Sequence, residues 1–143
     1  MKRIVAVIDD DIDITKLFHD VLCENLIDAS VYAFNDPISA LEHFTENKEN
    51  YALIISDLRM PGLNGLELLK KAKVSNPKVR TILMSAYNFD EDPTYQSYMK
   101  EGVIDTTIEK PVTIHRLCQR VKDELENYQV TLKNKEKFYS ISL

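Results

Sequence analysis

The chain has 143 residues, a length that suits one domain, and its 44% hydrophobic and 29% charged residues lie near globular averages. Eighteen Lys and Arg against 23 Asp and Glu give a formal charge of −5, which argues against a basic nucleic-acid-binding face. Cys23 and Cys118 lie far apart and form no CxxC pair, so neither a disulfide framework nor a zinc site is expected. The basic start Met1-Lys2-Arg3 precedes an apolar run too short for a signal peptide. No stretch reaches the roughly 18 apolar residues that a membrane span needs, so a soluble cytoplasmic protein without membrane contact is expected.

Short β-branched runs alternate with longer helical patches along the chain. Ile4–Ile8 reads as a buried strand ended by Asp9-Asp10-Asp11. From Ile12 to Glu24, the residues Ile14, Leu17, Phe18, Val21 and Leu22 recur at helical spacing, with acids in the first turn. Ala29–Phe34 is a second strand, and Asn35-Asp36-Pro37 opens a helix with Leu41 and Phe44 on its apolar face. Tyr51–Ser56 is a third strand that ends at Asp57. The loop Met60–Gly65 leads into a helix carrying Leu66, Leu68, Leu69 and Ala72, which stops before Asn76-Pro77. Val79–Met84 is the fourth strand, ending at Ser85, and Asp92-Pro93 opens a short helix through Lys100. Val103–Ile108 holds the fifth strand, and a last helix after Lys110-Pro111 carries Ile114, Leu117, Val121 and Leu125. Continuous apolar strands separated by helices indicate a parallel sheet covered on both faces, an α/β fold. Right-handed crossovers make a doubly wound sheet of five β–α units the simplest topology.

In such a sheet, ligands bind outside the carboxyl ends of the strands. Strand one delivers Asp9 and Asp10 to that edge, strand three Asp57, strand four Ser85 and strand five Lys110. Three carboxylates in a small volume repel one another and lose hydration. A divalent cation and one lysine resolve that conflict, and oxygen ligands without His or Cys favour Mg²⁺ over zinc. The fitting chemistry is phosphoryl transfer, with a carboxylate as nucleophile and a lysine and a hydroxyl stabilising the transferring oxygens. Asp11 and Asp13 read instead as partners of the first helix's N-terminus. His19, His43 and His115 fall on three separate helices without a second histidine one turn away, so metal ligation or phosphohistidine chemistry is not expected of them.

The stretches Val7–Asp11, Ile54–Gly65, Ile82–Ala86 and Glu109-Lys110-Pro111 together resemble the receiver domain of two-component response regulators, of the single-domain, chemotaxis-regulator-like kind. The resemblance covers residues 2–128 and implies a flavodoxin-like (βα)5 sheet in the strand order 2-1-3-4-5. It implies that Asp57 accepts a phosphoryl group from a histidine kinase or a phosphotransfer protein. Asp9, Asp10, Asp57 and the backbone carbonyl of Arg59 would ligate Mg²⁺, Ser85 would contact the phosphoryl oxygens, Lys110 would bridge to the phosphoryl group, and the Lys110–Pro111 bond would be cis. The receiver would catalyse only its own phosphorylation and dephosphorylation, and phosphorylation would switch binding of a downstream protein at the face of helix four, strand five and helix five. Tyr95, Tyr98, Lys100 and Arg116 are candidates to face that partner.

Some positions depart from the family pattern. Thr107 stands where most receivers carry an aromatic switch residue, with Tyr87 and Tyr98 as candidate substitutes. Arg59 and Tyr87 occupy positions that tune acyl-phosphate lifetime in the family, and neither orients a water as a carboxylate or amide does, so slow autodephosphorylation is expected. Residues 129–143 form an extension that reads as continued helix, docking segment or disordered tail. Cys118, Val121, Leu125, Tyr128 and Leu132 trace a short coiled-coil-like seam, which leaves a phosphorylation-linked homodimer open. The extension is too short for a DNA-binding module, so output is expected through protein partners. The rival readings are a phosphorylation-independent pseudo-receiver scaffold and an aspartate-nucleophile phosphohydrolase of haloacid-dehalogenase type. The latter lacks an acidic pair after strand four. A flavin binder lacks the Ser/Thr/Gly cradle for phosphate.

Overall fold

The computed structural model describes residues 2–86 and 92–142, with side chains in the last helix up to Asn134. Five strands, β1 (Arg3–Ile8), β2 (Ala29–Phe34), β3 (Tyr51–Asp57), β4 (Arg80–Ser85) and β5 (Thr106–Glu109), alternate with five helices. The helices are α1 (Ile12–Asn25), α2 (Pro37–Asn47), α3 (Gly65–Ser75), α4 (Pro93–Lys100) and α5 (Ile114–Ser142). All strand pairs are parallel, in the order β2-β1-β3-β4-β5. The doubly wound flavodoxin-like sheet is therefore present as the sequence indicates.

Strand residues alternate between two cores. Ile4, Ala6, Ile8, Ile54 and Leu83 pack with Phe44, Leu68 and Leu69 from α2 and α3, and Val103 and Ile104 close that side. Val5, Val7, Leu53, Ile55, Ile82 and Met84 pack on the other face with Phe18 and Leu22 of α1 and Leu117, Val121 and Leu125 of α5. Each such fully buried aliphatic side chain contributes about 2 kcal/mol through the area it removes from water. Burial on both faces explains why these strands read as unbroken apolar runs.

Helix starts follow the capping acids. Asp11 accepts from the backbone N–H groups of Asp13 and Ile14, Asp36 from Ile38 and Ser39, and Asp92 from Thr94 and Tyr95. These caps satisfy N–H groups that a helix leaves unpaired at its start, each by about 1 kcal/mol. Asp11 thus serves the helix end, as its position in the sequence suggests.

Three features differ from the sequence reading. The fifth strand begins at Thr106 rather than Val103, because Val103 and Ile104 are buried in a connecting loop. The Val103 N–H bonds back to the Tyr98 carbonyl, and the Asp105 N–H to that of Thr81. The seam on α5 is not a free coiled-coil face: Val121, Leu125 and Tyr128 are buried in this chain's own core, with Cys118 and Leu132 packed beside them. Tyr95 is buried and Tyr98 half-buried against the α3 side, whereas Lys100 and Arg116 are exposed. α5 continues as one helix through Ser142. Among the described residues, no helix is long and apolar enough to cross a membrane.

A polar cluster fastens α5 and β5 at the amino ends of the strands. Arg80 Nε donates to Glu124 Oε2 at 2.6 Å, and Thr106 Oγ1 to Glu124 Oε1 at 2.5 Å. Arg80 also lies 3.5 Å from Asp105, which accepts from Lys73 Nζ at 2.8 Å and from the Thr81 backbone at 2.9 Å.

Candidate functional site

The opposite edge of the sheet gathers the acids. Asp9 directly follows β1 and its N–H bonds the Phe34 carbonyl, and β3 carries Asp57 as its last residue. Asp9 is 1% exposed and Asp57 8%, while Asp10 faces solvent. Carboxylate oxygens of Asp9, Asp10 and Asp57 lie within 4.8 Å of one another. Lys110, just past β5, reaches across with Nζ 2.9 Å from Asp57 Oδ1 and 3.2 Å from Asp9 Oδ2. The backbone places it there: the Lys110 N–H bonds the Ser85 carbonyl, and Lys110–Pro111 is cis. Asp57, Leu58, Arg59, Ser85, Ala86 and Lys110 line an open cleft of about 350 Å³.

Two further residues shape this edge, and the sequence reading missed their roles. Asn35 donates to the Asp9 carbonyl at 2.9 Å and to Thr15 Oγ1 at 2.7 Å, tying the β1 end to α1. Its only signal was a polar residue directly after β2. Gly65 sits so close to β3 that a Cβ there would overlap the Asp57 carbonyl oxygen. Its N–H also bonds the Leu58 carbonyl at 2.8 Å, so α3 starts tight against the acid it helps position.

The electrostatics are unbalanced by design of the chain. Three carboxylates and one ammonium leave a net charge of −2, counted as −3 from Asp9, Asp10 and Asp57 plus +1 from Lys110. Burial pushes the Asp9 carboxyl above the ordinary aspartate value and the Asp57 charge adds to that, against the hydrogen bond from the Asp11 N–H and the Lys110 charge. Burial also works against the charged Lys110, yet its hydrogen bond to Asp57 and the charges of Asp57 and Asp9 outweigh it and raise its pKa. A small hard divalent cation fits this donor set, because every ligating atom is a carboxylate oxygen and the charge it would neutralise is uncompensated.

The site brings together Asp9, Asp10, Asp57 and Lys110, with Ser85 and Arg59 on the cleft wall. Thr107 is exposed on β5 and lies outside the cleft lining. Tyr87 lies outside the described residues. His43 bonds Tyr51 at 2.5 Å among aromatic rings, and His115 is exposed.

Comparison with known proteins agrees with this geometry. The family model for the response regulator receiver domain matches residues 5–122. The chain is 30% identical over 125 residues to sporulation initiation phosphotransferase F of Bacillus subtilis, covering 87% of this chain and 95% of that protein. It is 31% identical over 129 residues to the DNA-binding transcriptional regulator NtrC of Salmonella typhimurium, covering 90% of this chain but 26% of that longer protein. A response regulator receiver domain protein from Clostridium thermocellum superposes with a TM-score of 0.76 at 22% identity, covering 90% of this chain and 98% of that one. The chain belongs to the response regulator receiver domain family. Receivers are signalling modules of two-component systems that carry an aspartate phosphorylation site and bind Mg²⁺ in an acidic pocket.

Proposed function

We propose that this receiver takes a phosphoryl group onto Asp57 from a histidine kinase or a phosphotransfer protein. The observation that carries this reading is the buried Asp57 carboxylate, paired with Lys110 at 2.9 Å and facing a cleft shared with Ser85. A carboxylate oxygen of Asp57 attacks phosphorus, the P–N bond to the donor imidazole breaks, and the leaving nitrogen takes up a proton. The product is an acyl phosphate on Asp57. Lys110 shifts from its carboxylate partners to a phosphoryl oxygen, and the Ser85 hydroxyl donates to another. Asp9, Asp10, Asp57 and the Arg59 carbonyl would hold Mg²⁺, which when bound neutralises the equatorial oxygens in the transition state. Arg59 offers the site no carboxylate or amide to orient an attacking water, which supports a slow loss of the phosphoryl group.

Phosphorylation adds about −1.5 to −2 charge at Asp57. We infer that Lys110 and Ser85, at the ends of β5 and β4, transmit that charge to the face formed by α4, β5 and α5. Exposed Lys100, Thr107 and Arg116 are the groups offered there to a downstream protein. The test is intact-mass spectrometry after incubation with acetyl phosphate and Mg²⁺, beside Asp57→Asn. A gain of about 80 Da, one phosphoryl group, is expected in the parent protein alone. No gain in either protein, or a gain in both, would overturn the assignment.

A further inference from the structure

The two acids after β1 sit on a short loop whose backbone is anchored on both sides by the end of β2. Pairing of β1 with β2 stops at Ile8 and Phe34. Just beyond it, the Asp9 N–H donates to the Phe34 carbonyl at 3.2 Å. The Asp9 carbonyl lies past the ladder, and there a side chain takes over: Asn35 Nδ2 donates to it at 2.9 Å. A carbonyl oxygen only accepts, so this contact fixes which way the Asn35 amide faces. Asn35 Nδ2 also donates to Thr15 Oγ1 at 2.7 Å, and Thr15 is buried in α1. The Thr15 hydroxyl donates in turn to the Ile12 carbonyl at 3.2 Å. Both hydrogens of one amide are thus committed, one to the loop and one to the helix that follows it.

A peptide unit is planar. The Asp9 N–H lies in the plane before Asp9 and its carbonyl in the plane after it, so holding both groups sets the two backbone angles of that residue. The second plane also contains the nitrogen and Cα of Asp10, which is exposed. The position of the Asp10 carboxylate therefore follows from the contact to the Asp9 carbonyl. Repulsion among the carboxylates of Asp9, Asp10 and Asp57 favours turning that plane and carrying Asp10 away. We propose that Asn35 is a positioning residue of the acid pocket, holding the Asp9–Asp10 peptide so that both carboxylates face one Mg²⁺. The inference deepens the reading of that pocket as a Mg²⁺ site and rests on it. Asn35 acts through Asp9 and is not itself a ligand. Partners behind metal ligands commonly change affinity about 10–100-fold when they are removed.

The test is a Mg²⁺ titration of the whole chain followed by amide NMR shifts, beside chemical denaturation of each variant. Asn35→Ala and Asn35→Leu differ in size, yet both lack a donor. Asn35 is exposed, so neither opens a core cavity, and circular dichroism checks the fold. Both should raise the Kd for Mg²⁺ on the order of tenfold, and by a similar factor. The control is Asn76→Ala, at the other end of the sheet, where Asn76 Nδ2 donates to the Lys48 carbonyl at 2.7 Å. It should lower stability and leave the Kd unchanged. An unchanged Kd in Asn35→Ala would overturn the proposal while the parent's own Mg²⁺ binding upheld the pocket. A Kd raised as much in Asn76→Ala would overturn it too, since general loosening would then suffice, as would a loss in Asn35→Ala that Asn35→Leu restored. A parent protein whose amides near Asp9, Asp10 and Asp57 do not respond to Mg²⁺ would overturn the pocket assignment, and this inference with it.

Discussion

The two ends of one sheet carry two polar clusters that obey opposite rules. At the amino ends, Arg80 and Lys73 face Asp105 and Glu124, two positive against two negative charges, and all four carboxylate oxygens have partners. At the carboxyl ends, three carboxylates share one lysine. The first cluster is closed: nothing further is needed to satisfy it, and it holds α5 against β4 and β5. The second is left short of positive charge, a deficit that a bound divalent cation would neutralise. Charge balance, rather than the number of buried polar groups, separates the structural cluster from the functional one.

Breaking the closed cluster should cost stability and spare chemistry. Glu124→Leu leaves the Arg80 guanidinium and the Thr106 hydroxyl without their partner in a buried place, although Arg80 keeps Asp105. A loss of about 2–3 kcal/mol in chemical denaturation is expected, with Asp57 still accepting a phosphoryl group. A Glu124→Leu protein as stable as the parent would mean that the amino-end cluster does not fasten α5.

The open cluster should respond to Mg²⁺ instead. At ten times its Kd, Mg²⁺ should stabilise the folded state by about 1.4 kcal/mol, read as a rise of several degrees in Tm. Asp10→Asn, a change at an exposed position, should remove most of that gain. The pH dependence follows from the raised pKa of Asp9. Because the folded state holds that proton more tightly than the unfolded chain, the metal-free protein gains stability from Asp9 as pH falls through its folded pKa. Proton and cation compete for the same carboxylate, so the Mg²⁺-dependent rise in Tm should shrink over that window. A rise indifferent both to pH and to Asp10→Asn would place the cation elsewhere.

The smallest effect is expected at Thr107. It is exposed on β5 and lines neither cluster, so Thr107→Ala should change stability by no more than about 0.5 kcal/mol and leave phosphorylation of Asp57 intact. A large loss in either would show that this position couples to the acid pocket.

Much of the acid pocket was legible in the sequence, because apolar strand runs stop abruptly at Asp9, at Asp57 and at Ser85, and a parallel sheet brings such stops to one edge. The start of β5 was not. Val103 and Ile104 are as apolar and buried as strand residues, and only the hydrogen bonding of Asp105 and Tyr98 shows that they form a loop. Composition cannot distinguish a buried loop from a short strand. The amino-end cluster also went unread, although Glu124 interrupts the apolar stripe Leu117, Val121, Leu125 and Tyr128 on α5. An acid within a buried stripe signals a cation reaching in to meet it, and here it is the half-buried Arg80. The support behind the site was the least visible part, since Gly65 and Asn35 act through a close backbone approach and a carbonyl contact that only the folded chain brings about.

The most direct test of the open cluster as a phosphoryl site is to locate the group. The protein is phosphorylated with acetyl phosphate and Mg²⁺, reduced with borohydride, which converts an aspartyl phosphate to homoserine, and sequenced by tandem mass spectrometry. Homoserine at position 57 and at no other aspartate is the predicted result. Homoserine at Asp9, Asp10 or any other acid, or at none, would contradict the account.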